Sequence, residues 1–165
     1  MLIKGIQDED FVNYKKPSML VAFPNCSFKC DEACGERVCH NGALALTTSI
    51  DVDTDAIIER YLSNPITKAM VCGGLEPFDS FEDLKQLLYG FIKACSDDFV
   101  IYTGYTEGEC EKNGWLKSLR YMHRFTKYKN RIIIKFGRYV PGHKPHYDEL
   151  LGVNLASLNQ YAMDL

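Results

Sequence analysis

Short, unbroken apolar runs recur along the chain and predict the strands of a buried sheet. A run of this kind is typical of a strand that is covered on both faces. The runs lie at residues 19–23, 69–72, 99–102 and 132–134. Residues 1–14 predict an edge strand and a turn, and residues 153–157 predict a further strand.

Apolar residues with helical spacing separate these runs. Residues 57–62 place their apolar side chains on one face of a helix that Asp53 or Thr54 can cap. Asn64-Pro65 is expected to end this helix, because the residue before a proline is disfavoured in the helical region. Residues 115–126 predict a further helix.

A helix is also predicted after residue 80. Ser80 and Asp83 have the spacing of a capping box at its beginning. The residues that follow form one apolar stripe, which consists of Phe81, Leu84, Leu88 and Phe91. An amphipathic helix with one such stripe is expected to pack on the sheet.

Strands that alternate with helices predict an α/β fold with a largely parallel sheet, built as a single domain over residues 1–165. In such folds the chemistry lies at the carboxyl ends of the strands. Four unusual segments follow the predicted strands: the cysteine-rich stretch after residue 23, Gly73-Gly74, Thr103-Gly104 and Gly137-Arg138. We therefore expect these segments to meet at one rim of the sheet.

Charge and composition exclude several classes of protein. The net charge is −3, so no overall basic field favours nucleic acid or an anionic membrane. No apolar run approaches the ~20 residues that span a bilayer. Asp8, Glu9 and Asp10 argue against a signal peptide at the N-terminus. The expectation is a cytoplasmic protein with neither a nucleic acid nor a membrane as partner.

Four of the seven cysteines lie within residues 26–39, at positions 26, 30, 34 and 39. In a cytoplasmic chain an odd number of cysteines argues against a disulfide framework, and the clustering of four within fourteen residues indicates metal or cluster ligands. Thiolates hold iron–sulfur clusters, whereas structural zinc takes four thiolates, or three with a histidine such as the neighbouring His40. The paired short spacings of a zinc knuckle are absent. Spacing leaves a cluster, zinc and free buried thiols open, with the cluster favoured.

Two of these features together resemble the radical S-adenosylmethionine superfamily. One is the cysteine loop directly after the first buried strand. The other is Gly73-Gly74-Leu75-Glu76-Pro77, which is similar to the superfamily's Gly-Gly-Glu-Pro motif with Leu75 inserted. Paired glycines let the backbone approach a ligand closely, because no Cβ stands in the way.

Further segments narrow the resemblance to the activating enzymes of anaerobic (class III) ribonucleotide reductase. Residues 102–106 resemble their Tyr-Thr-Gly-Tyr segment, and residues 136–139 their Asp-Gly-Arg-Phe segment with Phe136 in place of the acidic residue. Residues 152–160 resemble their Gly-Ser-x-Asn-Gln ending. Cys39-His40-Asn41 resembles the Cys-aromatic-Asn sequence that closes their cluster loop.

The chain departs from the superfamily in its cysteine spacing, which is usually Cys-x3-Cys-x2-Cys. Cys26 and Cys30 fit this pattern, but position 33 is alanine. The third ligand is then Cys39 or Cys34, and we favour Cys39 because His40-Asn41 follows it. The family's N-terminal Asp-Gly-Pro-Gly-x-Arg stretch is also missing, so contacts made there by relatives are not carried over.

The resemblance implies a partial, open β/α barrel of the radical S-adenosylmethionine type. It implies a [4Fe-4S] cluster on three cysteines and S-adenosylmethionine beside it. The residues expected at the S-adenosylmethionine site are Gly73, Gly74, Glu76, Thr103, Gly104, Asn154 and Ser157.

The implied reaction is reductive cleavage of S-adenosylmethionine to a 5′-deoxyadenosyl radical. That radical would install a glycyl radical on the catalytic subunit of anaerobic ribonucleotide reductase, with a flavodoxin- or ferredoxin-type protein as electron donor. Two alternatives remain open. The first is another radical S-adenosylmethionine enzyme, which activates a different glycyl-radical enzyme or modifies a peptide. The second is a non-catalytic binding module that zinc or a cluster stabilises.

Overall fold

The computed structural model describes residues 1–124 and 128–165. Its strands are β1 Leu2–Ile3, β2 Gly5–Asp10, β3 Ser18–Phe23, β4 Ile50–Asp51, β5 Ala69–Gly74, β6 Asp98–Tyr102, β7 Ile132–Phe136, β8 His146–Asp148, β9 Val153–Leu155 and β10 Tyr161–Asp164. Its helices are α1 Lys29–Cys34, α2 Gly42–Ala45, α3 Thr54–Ser63, α4 Phe81–Ala94, α5 Glu107–Lys112 and α6 Trp115–Arg124, and a 3-10 turn spans Pro77–Ser80.

The central sheet has the strand order β10-β7-β6-β5-β3-β2. Strands β3, β5, β6 and β7 pair in parallel, whereas β2 and β10 pair antiparallel at the two edges. The predicted α/β class with a mostly parallel sheet is therefore confirmed. The open barrel of the radical S-adenosylmethionine type and the single domain over residues 1–165 stay predictions.

The two faces of the sheet are covered differently. One face packs on α3, α4 and α6 in a large core that includes Phe23, Leu88 and Phe99. The other face packs on Tyr14 and on the β8–β9 hairpin, through Val71, Ile133 and other residues. Because alternate strand residues point to opposite faces, coverage of both faces explains why the strands are apolar throughout.

Two helix predictions differ in their outcome. Asp53 caps α3, and its carboxylate accepts a hydrogen bond from the backbone N–H of Asp55 at 3.0 Å. The prediction of a capping box at Ser80 is wrong, because the Ser80 side chain accepts no hydrogen bond from the backbone of α4. Its hydroxyl instead accepts a hydrogen bond from Asn25 Nδ2 at 2.9 Å. The 3-10 turn Pro77–Ser80 leads directly into α4.

The C-terminal part also departs from expectation. The predicted strand at residues 153–157 is shorter, and as β9 it pairs with β8 in a separate hairpin. The sheet is completed instead by β10, which pairs antiparallel with β7. The predicted helix at residues 115–126 is present as α6, and residues 125 and 126 lie outside the described residues. Within the described ranges, no helix is long and apolar enough to cross a membrane.

Replacing Asp53 with alanine is expected to lower the free energy of unfolding by about 1 kcal/mol, because an orphan N–H at the beginning of α3 loses its acceptor. Denaturant unfolding of the apoprotein measures this. Glu59→Ala, at an exposed position within α3, is the matched control and should change the free energy of unfolding by less than about 0.5 kcal/mol. Equal effects of the two substitutions would contradict the capping assignment.

Candidate functional site

A cavity of about 340 Å³ opens at the carboxyl ends of the parallel strands. It brings together most of the side chains and glycines that the sequence singled out. Those that line it are Cys26, Cys30, Cys39, Gly73, Gly74, Glu76, Thr103 and Gly104. They come from three separate strand ends, so parallel pairing of the strands is what makes them neighbours.

The cysteine loop leaves β3 and is partly helical rather than extended. Phe28 has φ 52° and ψ 35°, and this left-handed turn starts α1. Gly35, with φ 71°, ends α1, which carries Cys30 near its beginning and Cys34 as its last residue. Cys34 is half-buried and is not among the cavity-lining residues.

The three thiols at the cavity border it rather than converge on one point. Among the described residues, no three His, Cys, Asp or Glu side chains are grouped to hold a single metal ion. Cys26 Sγ accepts a hydrogen bond from the backbone N–H of Phe28 at 3.3 Å. Burial raises the pKa of Cys26 to about 12 and also raises that of Cys30. Cys26 and Cys30 are therefore protonated in the apoprotein, and metal binding would release their protons.

Gly74 joins the end of β5 to the cysteine loop. Its backbone has φ +80°, a conformation that favours glycine. A Cβ at this position would lie 2.8 Å from Ala22 Cβ, so β3 and β5 require a glycine here. The Gly74 carbonyl accepts a hydrogen bond from Asn41 Nδ2. The glycine pair and the end of the cysteine loop are thus connected directly.

Glu76 is buried at the centre of the site, with 6% of its surface exposed. Its Oε1 accepts hydrogen bonds from Thr103 Oγ1 at 2.8 Å and from the Phe78 N–H at 3.1 Å. Its Oε2 accepts from the Gly104 N–H at 2.8 Å. The carboxylate therefore ties the end of β5 to the end of β6. A carboxylate offers about four acceptor positions, so one remains for a ligand.

Two basic residues stand at the end of β7. Long basic side chains at strand ends commonly extend to solvent, yet Lys135 is 7% exposed and lines the cavity. Its Nζ donates to the Gly137 carbonyl at 2.8 Å, and burial lowers the pKa of Lys135 to about 8. Arg138 Nη2 lies 2.6 Å from Glu109 Oε1. This hydrogen bond holds the pKa of Glu109 at about 2.

Two of the residues expected at the S-adenosylmethionine site are not among those that line the cavity. Asn154 is exposed on β9, where it pairs with Tyr147. Ser157 is fully buried, and its hydroxyl accepts from the Val140 N–H at 2.9 Å and donates to the Val140 carbonyl at 3.1 Å. The neighbouring Ala156 and Gln160 line the cavity instead.

Part of the cavity wall was not predicted from the sequence: the contact between His40 and Tyr139, and the place of Asn13. The rings of His40 and Tyr139 lie 4.3 Å apart between centroids, and both residues line the cavity. Asn13 lines it from the loop before β3, and its carbonyl accepts a hydrogen bond from the Tyr102 hydroxyl. Local motifs contain His40 and Tyr139, but their ring contact and the place of Asn13 depend on parts of the chain that are distant in sequence.

The buried carboxyl of Glu76 predicts a pH dependence of stability. Burial raises the pKa of Glu76 from 4.5 to about 7, although its hydrogen-bond donors oppose the shift. Between these two values the folded protein holds a proton that the unfolded chain has lost. The free energy of unfolding contributed by this group is therefore greatest below pH 4.5 and falls as the pH rises towards 7.

Denaturant unfolding of the apoprotein at several pH values within that window measures this slope. Glu76→Gln removes the titrating group and nearly preserves the shape of the side chain, so its unfolding free energy should depend less on pH than that of the wild type. Identical slopes for the two proteins would contradict the assignment to Glu76.

Comparison with known families identifies the class of cofactor. Residues 18–134 match the model of the 4Fe-4S single cluster domain family. No curated protein and no solved structure matches the chain at a significant level. The matched segment runs from β3 to β7 and includes the cysteine loop, the glycine pair and the Thr103-Gly104 turn. The match covers more than half of the 165 residues, and the chain therefore belongs to the 4Fe-4S single cluster domain family.

Proposed function

We propose that the chain binds a [4Fe-4S] cluster through Cys26, Cys30 and Cys39 and uses it to cleave S-adenosylmethionine reductively. One observation carries this proposal: the three thiols share a cavity with the Gly73-Gly74-Leu75-Glu76 segment. A cluster held by three thiolates keeps one iron free for a second ligand. When bound, the reduced cluster would supply one electron to the sulfonium, which releases methionine and a 5′-deoxyadenosyl radical.

The residues of the cavity are suited to hold the amino-acid part of S-adenosylmethionine. Gly73 and Gly74 present backbone without side chains at the cavity wall. The remaining acceptor position of Glu76 suits the ammonium group of the ligand. Lys135 supplies a buried positive charge that suits its carboxylate, as a desolvated ion pair is stronger than an exposed one.

The apolar part of the wall supports a reaction that must be shielded from water. Leu20, Val71, Leu75 and Tyr102 line the cavity. They give the cavity an apolar section of wall. A reactive carbon radical abstracts hydrogen from unintended donors when these are close to it. An apolar wall that excludes water limits such side reactions.

The resemblance to class III activating enzymes leads us to propose a macromolecular substrate. The substrate would be the glycyl-radical loop of an anaerobic ribonucleotide reductase, and the electron donor a flavodoxin- or ferredoxin-type protein. Residues from all four of the resembling segments line the cavity, among them His40, Thr103, Tyr139 and Gln160. That placement supports a role for those segments close to the reacting atoms.

Anaerobic reconstitution followed by iron and sulfide analysis tests the cofactor, and an assay for 5′-deoxyadenosine after addition of dithionite and S-adenosylmethionine tests the reaction. We expect about four irons and four sulfides per chain and production of 5′-deoxyadenosine. Cys26→Ala is the control and should yield neither. Addition of a reductase, with detection of a glycyl radical by electron paramagnetic resonance, tests the partner.

A cluster that never yields 5′-deoxyadenosine, even with candidate partners present, would refute the catalytic part of the proposal. The chain would then be a non-catalytic cluster module. Production of 5′-deoxyadenosine without a radical on the reductase would leave the activase of another glycyl-radical enzyme, or a peptide modifier, as the better assignment.

A further inference from the structure

We infer that Asp31 is a positioning residue that holds the Cys39 thiol at the cavity, which makes a lengthened cysteine loop usable for cluster binding. The inference rests on the proposed role of Cys39 as third ligand. It accounts for the eight residues between Cys30 and Cys39, where the superfamily pattern has two. A longer loop loses more conformational entropy when its end is held in place. A specific interaction is therefore needed to hold the end of this loop at the cavity.

The Asp31 carboxylate supplies that interaction. Its Oδ1 accepts hydrogen bonds from the backbone N–H of Val38 at 2.9 Å and from that of Cys39 at 2.8 Å. Two consecutive N–H groups therefore converge on one oxygen. Hydrogen bonds to a carboxylate are stronger than those to a neutral acceptor, and these fix the backbone of Cys39 itself.

The position of Asp31 is fixed in turn by α1. Asp31 lies in the first turn of this helix, and its N–H donates to the Phe28 carbonyl at 3.0 Å. It directly follows Cys30, so the carboxylate that holds Cys39 is attached to the neighbouring ligand. The chain completes α1, turns at Gly35 and returns to the same carboxylate. The two thiols are thereby placed relative to each other by one short closed loop.

The other side of Cys39 is held as well. His40 packs on Tyr139 with 4.3 Å between ring centroids, and Asn41 donates from Nδ2 to the Gly74 carbonyl. Cys39 is thus held between a contact from its own loop and contacts from β5 and the segment after β7. Cys34 is the last residue of α1, about 6 Å of helical rise beyond Cys30. The same fold that brings Cys39 to the cavity leaves Cys34 outside the lining set.

Three substitutions distinguish the loss of the acceptor oxygen of Asp31 from the loss of its negative charge. Asp31→Ala removes the acceptor, Asp31→Asn keeps an acceptor oxygen without the charge, and Glu32→Ala removes the adjacent exposed carboxylate. We expect Asp31→Ala to lose its reconstituted cluster to an iron chelator at least tenfold faster than the wild type. Asp31→Asn should remain within about threefold of the wild-type rate because it retains the acceptor, and Glu32→Ala should not differ from the wild type.

A second measurement does not depend on the cluster. In the apoprotein, Cys39 should be alkylated at least fivefold faster in Asp31→Ala than in the wild type, with the modified cysteine identified by mass spectrometry. Alkylation of Cys26 should stay unchanged, which separates release of Cys39 from general loosening. If Asp31→Ala does not fold, Asp31→Glu displaces the oxygens by one methylene and should release Cys39 in the same assay.

The two proposals fail in different ways. A wild-type protein that holds no cluster would refute the proposed function, while alkylation would still decide the role of Asp31. A cluster in the wild type, together with equal chelator and alkylation rates in Asp31→Ala and Glu32→Ala, would overturn the inference about Asp31 and leave the proposed function intact.

Discussion

Replacing Cys26, Cys30 or Cys39 with alanine is expected to leave the anaerobically reconstituted protein without its cluster, whereas Cys34→Ala retains the cluster. Each of the first three thiols lines the cavity, and Cys34 does not. A cluster with only two thiolate ligands has lost a third of its protein anchoring, and the resulting site is open to solvent and chelators. Iron and sulfide per chain, with the visible absorption spectrum, measure the outcome.

Cys34→Ala is a matched control because it removes a thiol from the same loop. Both Cys34 and Cys39 are half-buried and free of disulfides. The pair therefore differs mainly in whether the thiol borders the cavity. A colourless Cys34→Ala protein beside a coloured Cys39→Ala protein would reverse the assignment of the third ligand. It would also remove the basis for a positioning role of Asp31.

The second large effect is expected at Gly74. An alanine there would place a non-glycine residue at φ +80°, which costs about 1–2 kcal/mol. Its Cβ would also overlap Ala22 at 2.8 Å and Leu44 Cδ2 at 3.2 Å, and overpacking of this kind costs about 1–3 kcal/mol. We expect Gly74→Ala to lower the free energy of unfolding of the apoprotein by about 2–5 kcal/mol, as measured by denaturant unfolding.

Gly73→Ala is the matched substitution at the adjacent residue. The nearest heavy atom to a Cβ at Gly73 is Tyr102 Cβ at 3.5 Å, an ordinary contact. Its stability should therefore change by less than about 1 kcal/mol. The added methyl would nevertheless lie on backbone that lines the cavity, so weaker binding of S-adenosylmethionine is expected with the fold intact. Equal loss of stability in the two variants would contradict the close approach of β3 and β5 at Gly74.

The main elements of the fold follow from local pattern. The apolar runs form β3, β5, β6 and β7, because a sheet that is covered on both faces buries most of the side chains of such a run. The cap at Asp53 was predictable for a similar reason, since capping involves only neighbouring residues. The structure contains a capping box at Thr106 and Glu109, which is also local but was not predicted.

Predictions that depended on distant parts of the chain were less successful. The apolar residues at 153–157 indicated a strand, but the pattern did not show that β9 would pair with β8 and that β10 would complete the sheet. Ser80 had the spacing of a cap, yet its hydroxyl contacts Asn25, far away in sequence. In both cases the partner was chosen by tertiary packing rather than by the local pattern.

The sequence was sufficient to predict the α/β class, the mostly parallel sheet and the segments that follow its strands, because these depend on the periodicity of apolar residues along the chain. Together with the family resemblance, it narrowed the expected third cluster ligand to Cys34 or Cys39. Only the tertiary structure placed Cys39 and not Cys34 at the cavity, through the Asp31 carboxylate and the Asn41–Gly74 contact. Those contacts depend on how a loop returns to its own beginning and to a neighbouring strand, and spacing along a chain carries no such information.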